Sequence, residues 1–512
     1  MSVLSEKLQI LEKKKIARLQ AADRIAATEK LHEQGKMTAR ERISLLIDPG
    51  TFEEIDQWSD SYQYFEFDDE VPIPGDALVA GWGEINGRPV CVWAQDASLY
   101  DGSMAEMHIA KIMRVMEKAL NRRVPVIGIY DSEGYRLQSA IMAKNYCTYA
   151  SMMRFQTISS GVIPQIALVM GPCVGGSALL APLADFIIMV KGNSFLHLNP
   201  VPENVSREDF GGAKMHATKS GTCAVLAKND DDCIQKCKEL LSYLPQNCRE
   251  TTPVAATQDD PNRIVEEIMD FFPDSSSKAY DMRKIIKMFA DDDNYFEIQA
   301  EYAPNLTVGF ARFDGYTVGI IANNPRYTGG IFDNKSSDKH SRFTRFCDAF
   351  NIPLIYLGDS PGFLPSVAEE HGGILRHGCQ VIHATSEVTS GKINIVLRKL
   401  YGGAGLAMPG NYCRPDSIWG WPTAERGHMG ADASVQVMFK GRIDRAETPE
   451  EKAKIVEEAT VKMTKLVERQ GLVAHEEIID PRRTRTLIIQ ALKAQRNLTN
   501  YWPERKHENI NM

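Results

Sequence analysis

Short apolar runs closed by glycine recur along the chain, with amphipathic stretches between them. Pro125 to Tyr130, Gln165 to Met170, Leu354 to Gly358 and Ile393 to Lys399 are four such runs. Runs this short and rich in β-branched residues predict fully buried strands of a parallel sheet. Ala77 to Trp82 and Val90 to Ala94 flank Asn86-Gly87, and Val308 to Phe313 and Thr317 to Asn323 flank Asp314-Gly315, so both pairs predict β-hairpins. Met107, Ile109, Ile112, Met113, Met116 and Leu120 repeat at helical spacing after Asp101-Gly102-Ser103. Further helices are predicted over 138–160, from Asp338 to Phe350, from Glu450 to Gln470 and from Arg482 to Asn497. An apolar helix start is predicted after Gly175-Gly176. Residues 1 to about 47 read as helix, with Leu8, Ile10, Leu11 and Ile16 opposite Lys13-Lys14-Lys15 and Arg18, stopped at Asp48-Pro49-Gly50. Residues 51–77 read as loop. Strands alternating with helices predict an α/β fold with a parallel sheet.

The order of elements occurs twice. Asn86-Gly87 answers Asp314-Gly315, Pro125 answers Pro353, Gly134 answers Gly362, and Gly175-Gly176 answers Gly403-Ala404, each 228 residues further on. A register held this long predicts two copies of one α/β unit. The 512 residues also exceed what one core accommodates and fit two domains. Pro245, Pro253, Pro261 and Pro273 punctuate the break, which divides the chain into domains 1–255 and 256–512.

Charge and cysteine usage narrow the function. A net charge of −8 and a pI near 5.9 exclude a nucleic-acid binder driven by phosphate neutralisation. No apolar run approaches the roughly 20 residues that span a bilayer, and the charged N-terminus is unlike a signal peptide, so a cytoplasmic protein is expected. The ten cysteines are scattered. Cys233 and Cys237 lie i, i+4 without a second ligand pair, and the histidines form no His-Glu-x-x-His pattern, so no metal site is predicted. There is no Gly-x-Gly-x-x-Gly, Walker A or Gly-x-Ser-x-Gly motif.

The glycine turns carry the candidate chemistry. A buried strand that ends in a glycine pair and enters a helix presents main-chain donors to an anionic oxygen. A second donor from a neighbouring loop completes an oxyanion hole. Gly134-Tyr135 with Gly175-Gly176 form the first such set, and Gly362-Phe363 with Gly403-Ala404 the second. Tight strand–helix packing is the alternative reading of each pair taken singly. Ser132 and Ser360 are expected to shape the turns. His371 and His377 are either site contacts or exposed loop residues.

The chain resembles the carboxyltransferase subunits of biotin-dependent acyl-CoA carboxylases and decarboxylases: propionyl-CoA carboxylase β, methylmalonyl-CoA decarboxylase α and glutaconyl-CoA decarboxylase α. Residues 35–42, Ser160 to Gln165, Met170-Gly171-Pro172-Cys173, Gly211-Gly212-Ala213, Arg345 to Pro353, Arg376-His377-Gly378, Tyr401-Gly402-Gly403-Ala404 and Trp421 to Glu425 carry the resemblance. It implies two tandem crotonase (ClpP-like) superhelical ββα domains, with active sites between the N-domain of one subunit and the C-domain of another. The N-domain is implied to bind acyl-CoA and hold its enolate oxygen at Gly134, Tyr135, Gly175 and Gly176. The C-domain is implied to hold the ureido oxygen of biotin at Gly362, Phe363, Gly403 and Ala404. Gly102, Ser103, Arg136, Gly373 and Leu406 are the implied cofactor- and substrate-binding positions. No biotinylation motif and no ATP-binding segment are visible. The implied partners are therefore a biotin carboxyl carrier protein and either a biotin carboxylase or a membrane decarboxylase subunit, around a homo-hexamer, with the chain cytoplasmic or peripheral to a membrane complex. Carboxylation and Na+-linked decarboxylation both remain open. The chain departs from the family pattern at Glu133 and Tyr135, at Met104-Ala105 and at Leu406; Glu133 and Leu406 point to an acyl group other than propionyl, or to a decarboxylase acting on a dicarboxylic acyl-CoA. The alternatives are a biotin-independent hydratase or isomerase with Glu133 as its acid–base, and a non-catalytic scaffold subunit.

Overall fold

The computed structural model describes residues 2–19, 22–61, 73–137, 139, 148–495, 506–507 and 509. The start of the helix predicted over 138–160, part of the 51–77 loop and the last residues of the helix predicted to Asn497 lie outside them. The chain divides into two compact units, Met1–Cys248 and Arg249–Met512. Val254 bridges Tyr316, and the Ala255 N–H donates to the Gly315 carbonyl at 3.0 Å. Residues 254–255, read from the sequence as the end of the first domain, thus pack on the hairpin of the second unit.

Each unit is built on one mixed sheet. In the first, β1 (Glu53–Glu54), β2 (Leu78–Ile85), β3 (Arg88–Gln95), β4 (Val126–Ser132), β5 (Gln165–Val174), β6 (Phe186–Val190), β7 (Phe195–His197) and β8 (Val225–Ala227) are ordered β1-β2-β3-β4-β5-β6-β8, with β7 also on β5. In the second, β9 (Tyr295–Ile298), β10 (Leu306–Phe313), β11 (Tyr316–Asn323), β12 (Leu354–Ser360), β13 (Lys392–Tyr401), β14 (Ser417–Gly420), β15 (Glu425–Gly427) and β16 (Glu477–Ile478) are ordered β16-β14-β13-β12-β11-β10-β9, with β15 on β13. An antiparallel hairpin thus feeds a run of parallel strands in each unit.

Both hairpins turn through left-handed pairs: Asn86 (φ 52°) and Gly87 (φ 71°), and Asp314 (φ 53°) and Gly315 (φ 77°). This is the twist that two-residue hairpins require. An aspartate holds each turn. Asp48 accepts the Gly87 N–H at 2.8 Å, and Asp291 accepts the Gly315 N–H at 2.8 Å. The helix Glu106–Arg122 lays Ile109, Ile112, Val115 and Met116 on the first sheet, where Trp93 and Tyr130 meet edge-on at 4.6 Å. The helix Asn334–Ala349 occupies the same place on the second sheet and starts four residues earlier than predicted. Asp333 and Ser336 form its capping box, so the polar run from Lys335 belongs to its first turn.

The helix expected over residues 1–47 is three helices, Val3–Leu19, Ala22–Glu33 and Ala39–Leu46. The break before the third is chemical. Gly35 takes φ 70°, and Thr38 caps the new helix with Glu41 returning its carboxylate to the Thr38 N–H at 2.7 Å. None of the described residues of Val3–Leu19 is buried.

A buried aspartate closes the central strand of each unit. Asp131 accepts Lys36 Nζ and Arg42 Nη1, both at 2.8 Å, and Arg42 Nε also reaches Asp230 at 2.8 Å. Burial pulls the Arg42 pKa down, but the two carboxylates outweigh it and hold the guanidinium firmly charged. Asp359, the counterpart of Asp131, accepts Arg398 Nη2 at 3.0 Å and the Tyr280 hydroxyl at 2.8 Å. Removing one partner of such a buried pair strands the other and costs about 3–5 kcal/mol. Arg42→Met is therefore expected to lower stability by about that amount, read as an earlier chemical-denaturation midpoint with Arg42→Lys intermediate. A wild-type midpoint in Arg42→Met would refute this account of Asp131.

Two buried histidines make stability depend on pH. His108 donates Nδ1–H to the Asp76 carbonyl at 2.9 Å, and burial lowers its pKa to about 4; burial lowers that of His340 to about 3. Both folded values lie below the unfolded value of 6.5, so the unfolded chain takes up protons first on acidification. Their stabilisation is fully present above pH 6.5 and is lost as pH falls towards the folded values. The melting temperature is expected to drop between pH 6.5 and 4, and less steeply in His340→Phe. Parallel curves for the variant and the wild type would contradict this.

Candidate active site

The loop after each central strand is shaped by its serine. Ser132 Oγ accepts the Gly134 N–H at 3.1 Å, and Ser360 Oγ accepts the Gly362 N–H at 3.4 Å. Gly134 (φ 115°) and Gly362 (φ 141°) take a backbone conformation that side chains rarely adopt. The Gly134 carbonyl accepts Met104 N–H at 2.9 Å and Arg136 N–H donates to Met104 O at 2.8 Å, which sets Tyr135 opposite Met104. The Gly362 carbonyl accepts Phe332 N–H at 3.0 Å and Leu364 N–H donates to Phe332 O at 2.8 Å. Phe363 thereby stacks on Phe332 with ring centroids 5.3 Å apart. These bonds correspond at the same offset of 228 residues.

The opposite wall differs from expectation in two ways. Gly175 opens a 3-10 segment, Gly175–Leu179, where an apolar α-helix was predicted, and the second unit has only the short helix Ala404–Ala407. The donors are the first N–H groups of a turn, which have no partner within it; no macrodipole of a long helix stands behind them. The strand register also moves by one. Val126 pairs Gln165 and Leu354 pairs Lys392, so β5 and β13 correspond at an offset of 227. Gly175-Gly176 therefore matches Gly402-Gly403 in space, and the left-handed residues are Gly175 (φ 64°) and Gly402 (φ 50°). Ala404 falls opposite Ser177. Gly403 belongs to the second set under either alignment.

The loops meet in pairs. A Cβ on Gly134 would stand 3.2 Å from the Val174 carbonyl oxygen, and one on Gly403 would stand 2.6 Å from the Phe363 ring. Each unit thus brings its serine-shaped loop against its glycine turn. Open space remains on one side of each pair: nothing lies within 4 Å of a Cβ built on Gly175, in the first glycine turn, or on Gly362, in the second serine-shaped loop. There is room at each for a ligand oxygen to approach main-chain donors.

The remaining candidate positions have mostly structural surroundings. A Cβ on Gly102 would lie 2.1 Å from the Asp131 carbonyl oxygen, so only glycine fits there. Arg136 is buried. Its Nη1 reaches Asp76 at 2.6 Å, and its Nε and Nη2 reach Ser103 Oγ at 3.2 Å and Ser103 O at 2.8 Å. Arg136 and Ser103 therefore tie the loops together. Gly373 (φ 95°) joins the helices Val367–Gly372 and Ile374–Glu387. Leu406 is 46% exposed beside the second glycine turn, and its carbonyl accepts the Tyr412 hydroxyl. His377 is bound to Asp338 at 2.5 Å, while His371 is exposed on the helix Val367–Gly372. Cys233 and Cys237 are buried in the helix Asp230–Tyr243, where burial pushes the Cys237 thiol up to about 12. Glu133, beside Gly134, is gripped by Arg207 through both carboxylate oxygens, at 3.1 and 2.9 Å.

The ion network around Asp131 and Asp359, and the Glu133–Arg207 pair, were not found from the sequence. Asp131 and Asp359 did carry a signal. They stand at the common offset, as do Gln95 and Asn323, whose side chains accept the two aspartate N–H groups at 3.0 and 3.3 Å.

Comparison with known proteins agrees with this geometry. Residues 30–510 match the carboxyl transferase domain family. The chain is 41% identical to the methylmalonyl-CoA decarboxylase subunit alpha of Veillonella parvula over the full length of both. It is also 41% identical to the human mitochondrial propionyl-CoA carboxylase beta chain, over 94% of this chain and 89% of that one. The transcarboxylase 12S hexamer, solved with methylmalonyl-coenzyme A and methylmalonic acid bound, superposes with a TM-score of 0.92 at 37% identity, covering 100% of this chain and 99% of that one. These relatives place the two units in the crotonase-like fold. On the family match across nearly its whole length and on these identities, the chain belongs to the carboxyl transferase family.

Proposed function

We propose that the chain is the carboxyltransferase subunit of a biotin-dependent acyl-CoA carboxylase or decarboxylase, moving a carboxyl group between biotin on a separate carrier protein and an acyl-CoA. The observation that carries this reading is that each unit sets a serine-shaped loop against a glycine turn, with open space left at Gly175 in the first unit and at Gly362 in the second. The unit Met1–Cys248 binds the acyl-CoA, and Arg249–Met512 binds biotin. In the first, main-chain donors at Gly134-Tyr135 and Gly175-Gly176 hold the thioester oxygen as it becomes an enolate. In the second, donors at Gly362-Phe363 and Gly403-Ala404 hold the ureido oxygen.

Biotin, when bound, supplies the transferable carboxyl group and a ring nitrogen able to take the α proton. The chain's own contribution is fixed dipoles aimed where negative charge develops, with no reorganisation at the moment of reaction. One such donor is worth about 3–4 kcal/mol of barrier. No side-chain base is then needed. Glu133, the acid that a biotin-independent hydratase would use beside the first hole, has its carboxylate paired with the Arg207 fork.

A carboxyltransferase of this kind takes the carboxyl group off a carboxylated acyl-CoA only when biotin is present to accept it and to give up its ring N–H proton to the α carbon. The purified chain with free biotin and a panel of carboxylated acyl-CoAs is expected to show biotin-dependent turnover with at least one. Turnover that is equal without biotin, or conversion of an enoyl-CoA instead, would overturn the proposal. Gly403→Ala places a methyl group against the Phe363 ring and shifts that loop. A misplacement of about 1 Å costs roughly 100-fold. The variant is expected to lose about that factor in exchange while its melting temperature moves by only a few degrees. Full exchange activity would mean that the second hole has no catalytic part.

A further inference from the structure

Arg207 opens the short helix Arg207–Gly211 and is fixed from behind on two sides. His197 Nδ1–H donates to the Asn199 carbonyl at 2.9 Å, which leaves Nε2 to accept Arg207 Nε–H at 3.3 Å. The guanidinium also stands 4.7 Å over the Phe195 ring. Phe195 and His197 lie on β7, paired in register with Pro172 and Val174 of the strand that enters Gly175. Arg207 is therefore anchored to one wall of the first hole. Its free fork crosses to the other wall, where it holds Glu133, the residue before Gly134. The second unit has no such strap, because the counterpart of Glu133 is Pro361.

The strap is held together weakly. Glu133 and Arg207 side chains are 47% and 34% exposed, and an ion pair this wet contributes about 0–1 kcal/mol. Arg207 is the better held partner, through the imidazole and the ring face, whereas Glu133 is an exposed carboxylate on a loop. A second carboxylate can displace Glu133 and find a planar two-point acceptor already in place. We propose that Arg207 is the specificity-determining residue of the first hole and that it selects a thioester whose acyl chain ends in a carboxylate, with Glu133 occupying the fork in the empty site. This rests on the reading of Met1–Cys248 as the acyl-CoA unit.

The test is calorimetric binding of two four-carbon thioesters, succinyl-CoA and butyryl-CoA, to the full chain without biotin. Wild type is expected to bind succinyl-CoA at least tenfold more tightly. Arg207→Gln should erase that ratio by weakening succinyl-CoA alone, Arg207→Lys should restore part of it, and Glu133→Gln should enlarge it. The butyryl-CoA affinity reports that each variant keeps a formed site. Equal affinities in wild type, or an equal loss of both ligands in Arg207→Gln, overturn the selectivity while leaving the acyl-CoA unit standing. If neither thioester binds wild type, that reading falls and the selectivity falls with it.

Discussion

A buried carboxylate at the end of a central strand is the constraint on which each unit is built. Asp131 and Asp359 sit where the chain leaves the sheet and turns into a candidate oxyanion loop. A charge at such a position is tolerable only if it is paired and its other lone pairs are used. Asp131 is neutralised by Lys36 and Arg42, from the N-terminal segment, and Asp359 by Arg398, from the neighbouring strand β13. The geometry is the same and the cations come from different places. What the duplication preserves is the need for neutralisation, and each half meets it with its own residue. The loop above inherits its rigidity from this anchor, and main-chain donors are useful in catalysis only if they do not move.

Much of the fold was readable because its signals are local. Strands such as Val126–Ser132 are apolar up to Tyr130, and left-handed pairs such as Asn86-Gly87 fix hairpins in two residues. The repeat gave the rest of the topology, since a second occurrence tests every element of the first. The failures were of two kinds. Boundaries moved where a cap overrides propensity, as at Thr38, where helical periodicity runs on but the capping box starts a new helix. Partnerships across long separations left no trace in any window of sequence. Arg42 and Asp131 are 89 residues apart, and Glu133 and Arg207 are 74 apart. Each of those residues is, by itself, an ordinary charged residue.

The one-residue slip between the halves is instructive for the same reason. The offset of 228 that holds for the hairpins and serine loops sets Gly175-Gly176 against Gly403-Ala404, while the hydrogen-bonded ladders, at 227, set it against Gly402-Gly403. A parallel sheet sets its register by strand pairing, not by the identity of the turn that follows. The second turn reaches the left-handed conformation at Gly402, and Gly403 then packs closely against the Phe363 ring. Sequence similarity finds the turn, but the ladder decides which amide faces which way.

The same distinction separates what the two halves share from what they do not. Main-chain donors are indifferent to side-chain identity, so a hole can be copied intact while its rim diverges. At the rim, a glycine loop bordered by Glu133 and Arg207 in one half is bordered by Pro361 in the other. Leu406, exposed beside the second turn, is apolar. In the proposed mechanism the rim groups take no part in the reaction, so they are free to change with the acyl group while the main-chain dipoles stay fixed. On the proposed reading, catalysis resides in the backbone and selectivity in the few side chains that cross the mouth of each hole.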